Sequence, residues 1–459
     1  MLDQFGNIAT LSSGVTELDD LSDVTINTSS LLVGKTLNEA SGLFNTSLGI
    51  NTLTNNTSGS SLIAIGYNSL KSNTIGTSNI AIGVNSLNSN TTGRNNISVG
   101  KDNLTNNISG SNNLSIGNTG LVNNTSGSYN TLIGHESMTN NTTGEKNTAI
   151  GYRTLLGNGS GDHNTAIGHQ ALMSNQAGKH NVAIGSVSSA FNESGSYNLS
   201  LGSGALNRNT DGNYNVALGY NSLKNSGTGS GNIGIGANSL FNNASGVSNT
   251  SIGQNAMKNT TGGSFNVAIG RNTALTLQGG KNNVVVGYNA NVKSRNSENE
   301  IVIGWSSRGK GDNTASIGGN RIEEVYFGDG NADIYAGNFF QTSDFRLKRN
   351  IQSLTHGLNF IMSLNPVSYL KMKMSDYTEG SDVKDQDMKH EIGLLAQDVK
   401  KASEDVGFDS EIVEVNEEGI HMMDYTKIIM PLVKGMQEQQ EIINSLKKEI
   451  EDLKKMLKD

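Results

Sequence analysis

Cysteine is absent from the 459 residues, proline occurs twice and tryptophan once. Without cysteine the chain has neither a disulfide framework nor a thiolate metal site. Aromatic residues make up 5% and hydrophobic residues 34% of the chain, too little apolar volume for the closed core of an ordinary enzyme of this length. No run of about 18 apolar residues occurs. The opening MLDQFGNIATLSSGVTELDD lacks the basic and apolar parts of a secretion signal. The expectation is a chain that neither inserts into a membrane nor carries an export signal. Positive charge is also scarce: 33 Lys and Arg stand against 41 Asp and Glu, a net charge of −8. That balance argues against a nucleic-acid partner held through its phosphates.

Glycine is abundant, with 56 residues, and it is periodic. A glycine recurs every 17 residues from Gly49 through Gly66, Gly83 and Gly100 to Gly304. A second column keeps the same step from Gly59 to Gly280, and an asparagine column runs from Asn79 to Asn283. The unit reads N-x-A-I-G-x-N-S-L-x-x-N-x-x-G-x-x. The residue before the first glycine is always aliphatic, and a Leu or Met usually follows four positions after it, with Ser189 and Ala274 as breaks. A fixed step rich in β-branched residues, Gly and Asn predicts a β-solenoid, one coil per unit. Coils at the strand spacing of about 4.8 Å would build a rod roughly 70 Å long. The glycines suit corners that need positive φ or close backbone approach. The Ile column is expected to form a thin core, and the Asn side chains to hydrogen-bond up the ladder. Two or three apolar residues per coil make a meagre core, so a homotrimer sharing apolar columns on its axis is expected.

These N-x-A-I-G-x-N units, over residues 49 to 304, resemble the head repeats of trimeric autotransporter adhesins and the repeats of phage tail fibres, which build trimeric β-rolls. The period is longer here than is usual for the adhesins. An autotransporter would also need an export signal and a terminal outer-membrane barrel, neither of which the sequence displays. Within the rod, His163 and His180 lie one period apart; they read as a surface column, the sharper alternative being a metal stack on a threefold axis. Tyr67, Tyr152, Tyr220 and Tyr288 follow the repeat glycine and read as coil-edge fillers, with sugar stacking as the alternative. No metal or cofactor is expected. The rod shows no carboxylate pair suited to glycoside hydrolysis.

From Ser343 onward the polymer changes: 16 Lys and Arg and 22 Asp and Glu fall in the last 117 residues, leaving 17 and 19 for the first 342. Residues 305–342 read as an irregular β connector. The final stretch, about 424–459, carries an apolar seam at Ile429, Leu432, Met436, Gln439, Ile443, Leu446, Ile450, Leu453 and Leu457. Its alternating three and four spacing predicts a coiled coil, with Gln439 as the one polar seam position. Pro431 sits near the start of the helix, where a missing amide donor costs least.

The segments SDFRLKRNI, GLNFIMSLNPVSYL, HEIGLLAQDV and DYTKIIMPLVKGMQEQQEIINSL, spanning residues 343–459, resemble the endosialidase-type intramolecular chaperone domain. That domain ends many phage tail spikes and fibres and occurs in myelin regulatory factor. The resemblance implies a domain that trimerises the chain, assists folding of the preceding β-structure and then cuts itself off. It places the nucleophilic serine on Ser343, the dyad lysine on Lys348, and the cut between Thr342 and Ser343. A serine hydroxyl needs a base to take its proton, and a lysine serves only where its surroundings favour the neutral amine. Ser343 can reach the carbonyl just before it, so attack within one chain gains from proximity and turns over once.

The fold expected is therefore mainly β: a trimeric solenoid of 17-residue repeats (49–304) behind an N-terminal attachment region (1–48), followed by the connector and a small α+β chaperone domain (343–459). The function expected is a phage virion protein of tail-fibre or tail-spike type. It would assemble in the host cytoplasm, join other tail or baseplate proteins and meet a host surface receptor. The rivals are a bacterial surface adhesin, a membrane-tethered transcription factor using the same chaperone, and a fibre whose terminal domain is a permanent, non-cleaving cap.

Overall fold

The computed structural model describes residues 24–26, 31–33, 44–319, 322, 343–371, 388–408, 411–416 and 419–457. The chain divides into two compact units, Met1–Glu323 and Glu324–Asp459. Most of the expected attachment region, the connector from residue 323 on, and Thr342 lie outside the described residues.

The first unit opens with a small hairpin, β1 (Val24–Ile26) and β2 (Leu31–Val33). A ladder of short parallel strands follows. Sixteen of them, from β3 (Thr46–Leu48) to β18 (Ile301–Ile303), are three residues long and repeat every 17 residues. A further strand, β19 (Ala315–Ile317), arrives after a step of 14. Each strand pairs in register with the next, so that Ala64 meets Ala81 and Ile65 meets Ile82. The result is the solenoid that the period predicts, with about sixteen turns.

Its interior differs from expectation. In a three-residue strand the first and third side chains share one face and the middle one takes the other. From β4 (Ile63–Ile65) to β18 it is the middle residue that is buried, usually Ala or Ser, as at Ala64, Ser98, Ala149 and Ala268. The Ile column expected to form the core faces outward: Ile116 is 39%, Ile133 43% and Leu201 46% exposed. The cause is volume. The middle residues face the buried column Leu70, Leu87, Leu104, Leu121 and Met138 across a narrow coil, and small residues there leave room for those larger chains. Even Gly234 is filled tightly, since a Cβ would stand 2.7 Å from Ser222 Oγ. The Leu column itself sits in the left-handed region, with Leu155 at φ 49° and Leu172 at φ 50°, a backbone cost that burial of the side chain offsets.

Polar order completes the core. Asn96 donates its backbone N–H (3.0 Å) and side-chain Nδ2 (3.1 Å) to Asn79 Oδ1, and Nδ2 also donates to the Gly110 carbonyl (2.9 Å). This pattern recurs up the column toward Asn283. A second ladder runs from Asn73 to Asn209, each Nδ2 reaching the preceding Oδ1, as Asn90 does at 2.8 Å. The two meet at the second glycine column, where Gly110 O also accepts from Asn107 Nδ2 at 2.9 Å. The Asn ladder thus forms as the repeat predicts and satisfies most of the buried amides, the exceptions including Asn209 Oδ1 and Asn243 Oδ1, where the second ladder is interrupted. The first glycine column turns each corner at positive φ; at Gly219 (φ 130°) a Cβ would lie 2.8 Å from the Gly236 carbonyl carbon.

The ladder from Asn79 ends in a different residue. Glu300 is fully buried where each coil from Asn79 to Asn283 has Asn, and its N–H donates to Asn283 Oδ1 at 3.0 Å. Its carboxylate accepts from the backbone of Lys293 (3.0 Å) and Gly311 (2.8 Å), tying the shortened last coil. Glu300→Ala strands both amides, at about 1–3 kcal/mol each. Hydrogen exchange at Lys293 and Gly311 should quicken at least tenfold while the central coils stay protected.

The second unit has two antiparallel pairs, β20 (Val367–Lys371) with β21 (Lys389–Gly393) and β22 (Val413–Val415) with β23 (His421–Met423). Its helices are α1 (Leu358–Ser363), α2 (Ala396–Asp405) and α3 (Ile429–Met456). Phe360, Val399, Ala402 and Ile412 form its small core. Glu438 of α3 accepts the Leu358 N–H at 2.7 Å, capping α1, and that bond holds its carboxyl below the usual range. Asp424 caps the turn before α3 through the Thr426 N–H at 2.9 Å.

Candidate functional site

Ser343 and Lys348 flank a single 3-10 turn, Phe345–Leu347. A turn of about three residues folds the chain back tightly, and the long Lys348 side chain returns to the serine: Nζ donates to Ser343 Oγ at 2.8 Å. The structure thus brings together the two residues that the motif singles out; the third, Thr342, lies outside the described residues.

Local contacts hold this turn. The Leu347 N–H donates to the Asp344 carbonyl at 3.1 Å. The Asp344 carboxylate accepts from the Arg346 N–H (2.9 Å), from Arg346 Nε (3.0 and 3.1 Å) and from Arg346 Nη2 (2.5 Å). The Arg346 side-chain hydrogen bonds hold the Asp344 carboxyl below the usual carboxylate range, and the carboxylate in turn raises the guanidinium. Arg349 Nη1 donates to the carbonyls of Arg346 (2.9 Å) and Lys348 (3.0 Å). These partners stand in the motif S-D-F-R-L-K-R, but nothing in their spacing told which charges would pair.

The arrangement has the parts for one reaction. Oγ is one peptide away from the carbonyl preceding Ser343, and an amine stands beside it to exchange protons. Proton removal needs the neutral amine, which apolar or cationic surroundings favour and water does not. Ser343 and Lys348 are both exposed on the single chain.

The other singled-out residues lie on the rod surface. His163 and His180 stack at 4.7 Å, and the stack continues through Tyr197 (4.9 Å) to Tyr214 (5.0 Å). Tyr152 stands between His135 (5.8 Å) and His169 (5.5 Å). Tyr67, Tyr220 and Tyr288 are exposed. Among the described residues no group of three His, Asp or Glu side chains is placed to hold a metal, and no helix is long and apolar enough to cross a membrane.

A β-solenoid followed by a small α+β unit, with the Ser343–Lys348 contact at its leading edge, fits the layout of a fibre-like protein with a C-terminal chaperone domain. Residues 343–408 match the family described as Chaperone of endosialidase, and the match begins at Ser343. The family consists of self-cleaving intramolecular chaperones, and this match is what links the C-terminal unit to a folding role for a fibre-like chain. Searches of curated proteins and of solved structures found no match.

Proposed function

We propose that this chain is a virion structural protein of tail-fibre or tail-spike type, a homotrimer whose C-terminal domain aligns three chains and then cuts the bond before Ser343. The observation that carries the cleavage is the 2.8 Å contact between Lys348 Nζ and Ser343 Oγ at the start of the matched segment. In the proposed step Ser343 Oγ bonds to the Thr342 carbonyl carbon and gives its proton to Lys348. The C–N bond breaks, the Ser343 nitrogen leaves protonated, and water hydrolyses the resulting ester. Because both side chains are exposed on one chain, a neighbouring copy would supply their cover, which would couple the cut to assembly.

Two surfaces support the trimer. Neither outward strand position from β3 to β18 carries a charge, and the one before each repeat glycine is an aliphatic ridge that spans all sixteen coils. On α3 the seam residues Leu432, Met436, Leu446, Ile450 and Leu453 are all exposed, as a coiled-coil strand awaiting partners would have them. A shared clamp has a physical use: a 17-residue slip between identical columns preserves nearly every contact, so register must be set before the ridges close. Release of the clamp leaves a rod trimer with a high barrier to unfolding. Virion attachment and receptor binding are part of the same proposal, supported by the resemblance of the repeats to fibre repeats.

The mass under denaturing conditions tests the reading. A cut chain loses about a quarter of its 48.5 kDa, the share of 117 residues in 459; an intact 48.5 kDa chain would instead favour the permanent cap. For the ridge, the triple variant Ile116→Glu, Ile133→Glu, Ile269→Glu would bury unpaired carboxylates, each costing several kcal/mol. The rod part should then sediment as a monomer with its β-signal retained. A stable trimer of that variant would remove the ridge from the interface.

A further inference from the structure

We infer that Arg346, held by Asp344, is a positioning residue for the Ser343–Lys348 pair: the bridge locks the turn that returns the lysine to the serine. This inference rests on the self-cleavage reading and goes beyond it, since it gives a part to two residues outside the Ser343–Lys348 pair.

The geometry makes the argument. Ser343 and Lys348 are separated by four residues whose only regular structure is the three-residue turn Phe345–Leu347. A single 3-10 turn in water is marginal, because few hydrogen bonds repay the fixing of its backbone. Here the Asp344 carboxylate takes the Arg346 backbone N–H and grips the same residue's guanidinium in a two-pronged contact. One side chain thereby fixes both the backbone and the side chain of the residue two positions on. Planar guanidinium–carboxylate pairing supplies direction as well as charge. Arg349 closes the far side through the Arg346 and Lys348 carbonyls. Arg346 and Lys348 are two apart and share no hydrogen bond. The guanidinium therefore acts on the lysine through the backbone between them.

The charge state fits the role. The Asp344 carboxyl is depressed by its bond to Arg346, so the bridge stands above the usual carboxylate range of about 4 and dissolves only as the pH falls through the lower folded value. At neutral pH the lock is closed.

The first arm of the test is the first-order rate of self-cleavage of the full chain, followed by mass, for the unaltered protein, Arg346→Ala, Arg346→Lys and Asp344→Asn. Misplacing a reacting group by about 1 Å costs on the order of a hundredfold. Arg346→Ala should slow the cut at least tenfold with an unchanged midpoint in its pH profile, and Arg346→Lys, which keeps the charge but not the two-pronged grip, should recover only a minor part of the rate. An Arg346→Ala rate within twofold of the unaltered chain overturns the inference. A midpoint displaced by a unit or more also does, by making Arg346 an electrostatic partner of the lysine. The second arm does not need cleavage. Ser343→Cys introduces the sole thiol of a chain that has none, and iodoacetamide alkylation against pH reads its titration. Beside Lys348 the thiol should titrate below about 8.5. In Ser343→Cys with Arg346→Ala it should return to that value, as it should with Lys348→Ala. If the depressed titration survives Arg346→Ala, the lock is refuted even where the unaltered chain never cuts. If the unaltered chain stays whole while the thiol arm behaves as expected, the cleavage reading falls and the lock stands.

Discussion

Ser343→Ala and Lys348→Ala chains are expected to remain full length on a denaturing gel under conditions in which the unaltered chain is cut to completion. Without Oγ there is no atom to attack the preceding carbonyl, and unassisted peptide hydrolysis is too slow to register. Without the Lys348 amine the hydroxyl keeps its proton, and loss of a positioned base costs about a hundred- to ten-thousandfold. Lys348→Arg is the sharper control. It keeps a cation at the same place, but a guanidinium does not surrender its proton at any workable pH, so this variant too should stay whole. Normal processing of Ser343→Ala would take the nucleophile's part from that residue. Processing of Lys348→Arg at the ordinary rate would show that the lysine serves only as a charge. All three should still fold, since Ser343 and Lys348 are exposed and lie outside the small core of their unit.

The second large effect is expected inside the rod. Asn130 is fully buried; its Oδ1 accepts the backbone N–H and the Nδ2 of Asn147, both at 3.1 Å, and its own Nδ2 donates to the Gly144 carbonyl at 2.9 Å. Asn130→Ala therefore strands two N–H donors and leaves that carbonyl short of one bond, where water has no ready access. At about 1–3 kcal/mol per stranded group, the variant should lose about 3–5 kcal/mol. An exposed asparagine of the same coil, Asn123, changed to Ala should cost less than about 0.5 kcal/mol. Melting of the rod, with exchange at the Asn147 amide as the local probe, distinguishes the two. Equal stability of the two variants would mean that the ladder is ornament to a fold held by its apolar columns.

How far the molecule could be read in advance follows from what a period contains. A step of 17 identifies columns, so the glycine corners, the Asn ladder and the solenoid were legible before any coordinate. A period does not say which side of a column faces inward. For the triplet I-A-I, ordinary hydrophobicity sends Ile to the core, and only the width of the closed coil reverses this, placing Ala inside and Ile out. The usually small middle position was the available signal. Glu300 was illegible for another reason: one carboxylate replacing one amide looks like decay at the end of a repeat, and it becomes a tie only when the two amides it receives are seen. At Ser343 and Lys348, spacing alone carried nothing, because pairs five apart are common; the motif around them carried the assignment, and the turn explains the distance. The heptad seam of α3 was plain in the sequence, and its residues Leu432, Met436, Leu446, Ile450 and Leu453 stand exposed on the single chain.

The constancy of the step has a consequence for reach. From β3 to β18 each coil repeats its neighbour after 17 residues, so removing or adding one whole coil there returns each remaining group to an equivalent neighbour, whereas any other increment shifts both amide ladders out of register. The length of such a shaft is therefore quantised in units of about 4.8 Å, and a lineage carrying it can lengthen or shorten its grasp by recombination between units without redesigning either end.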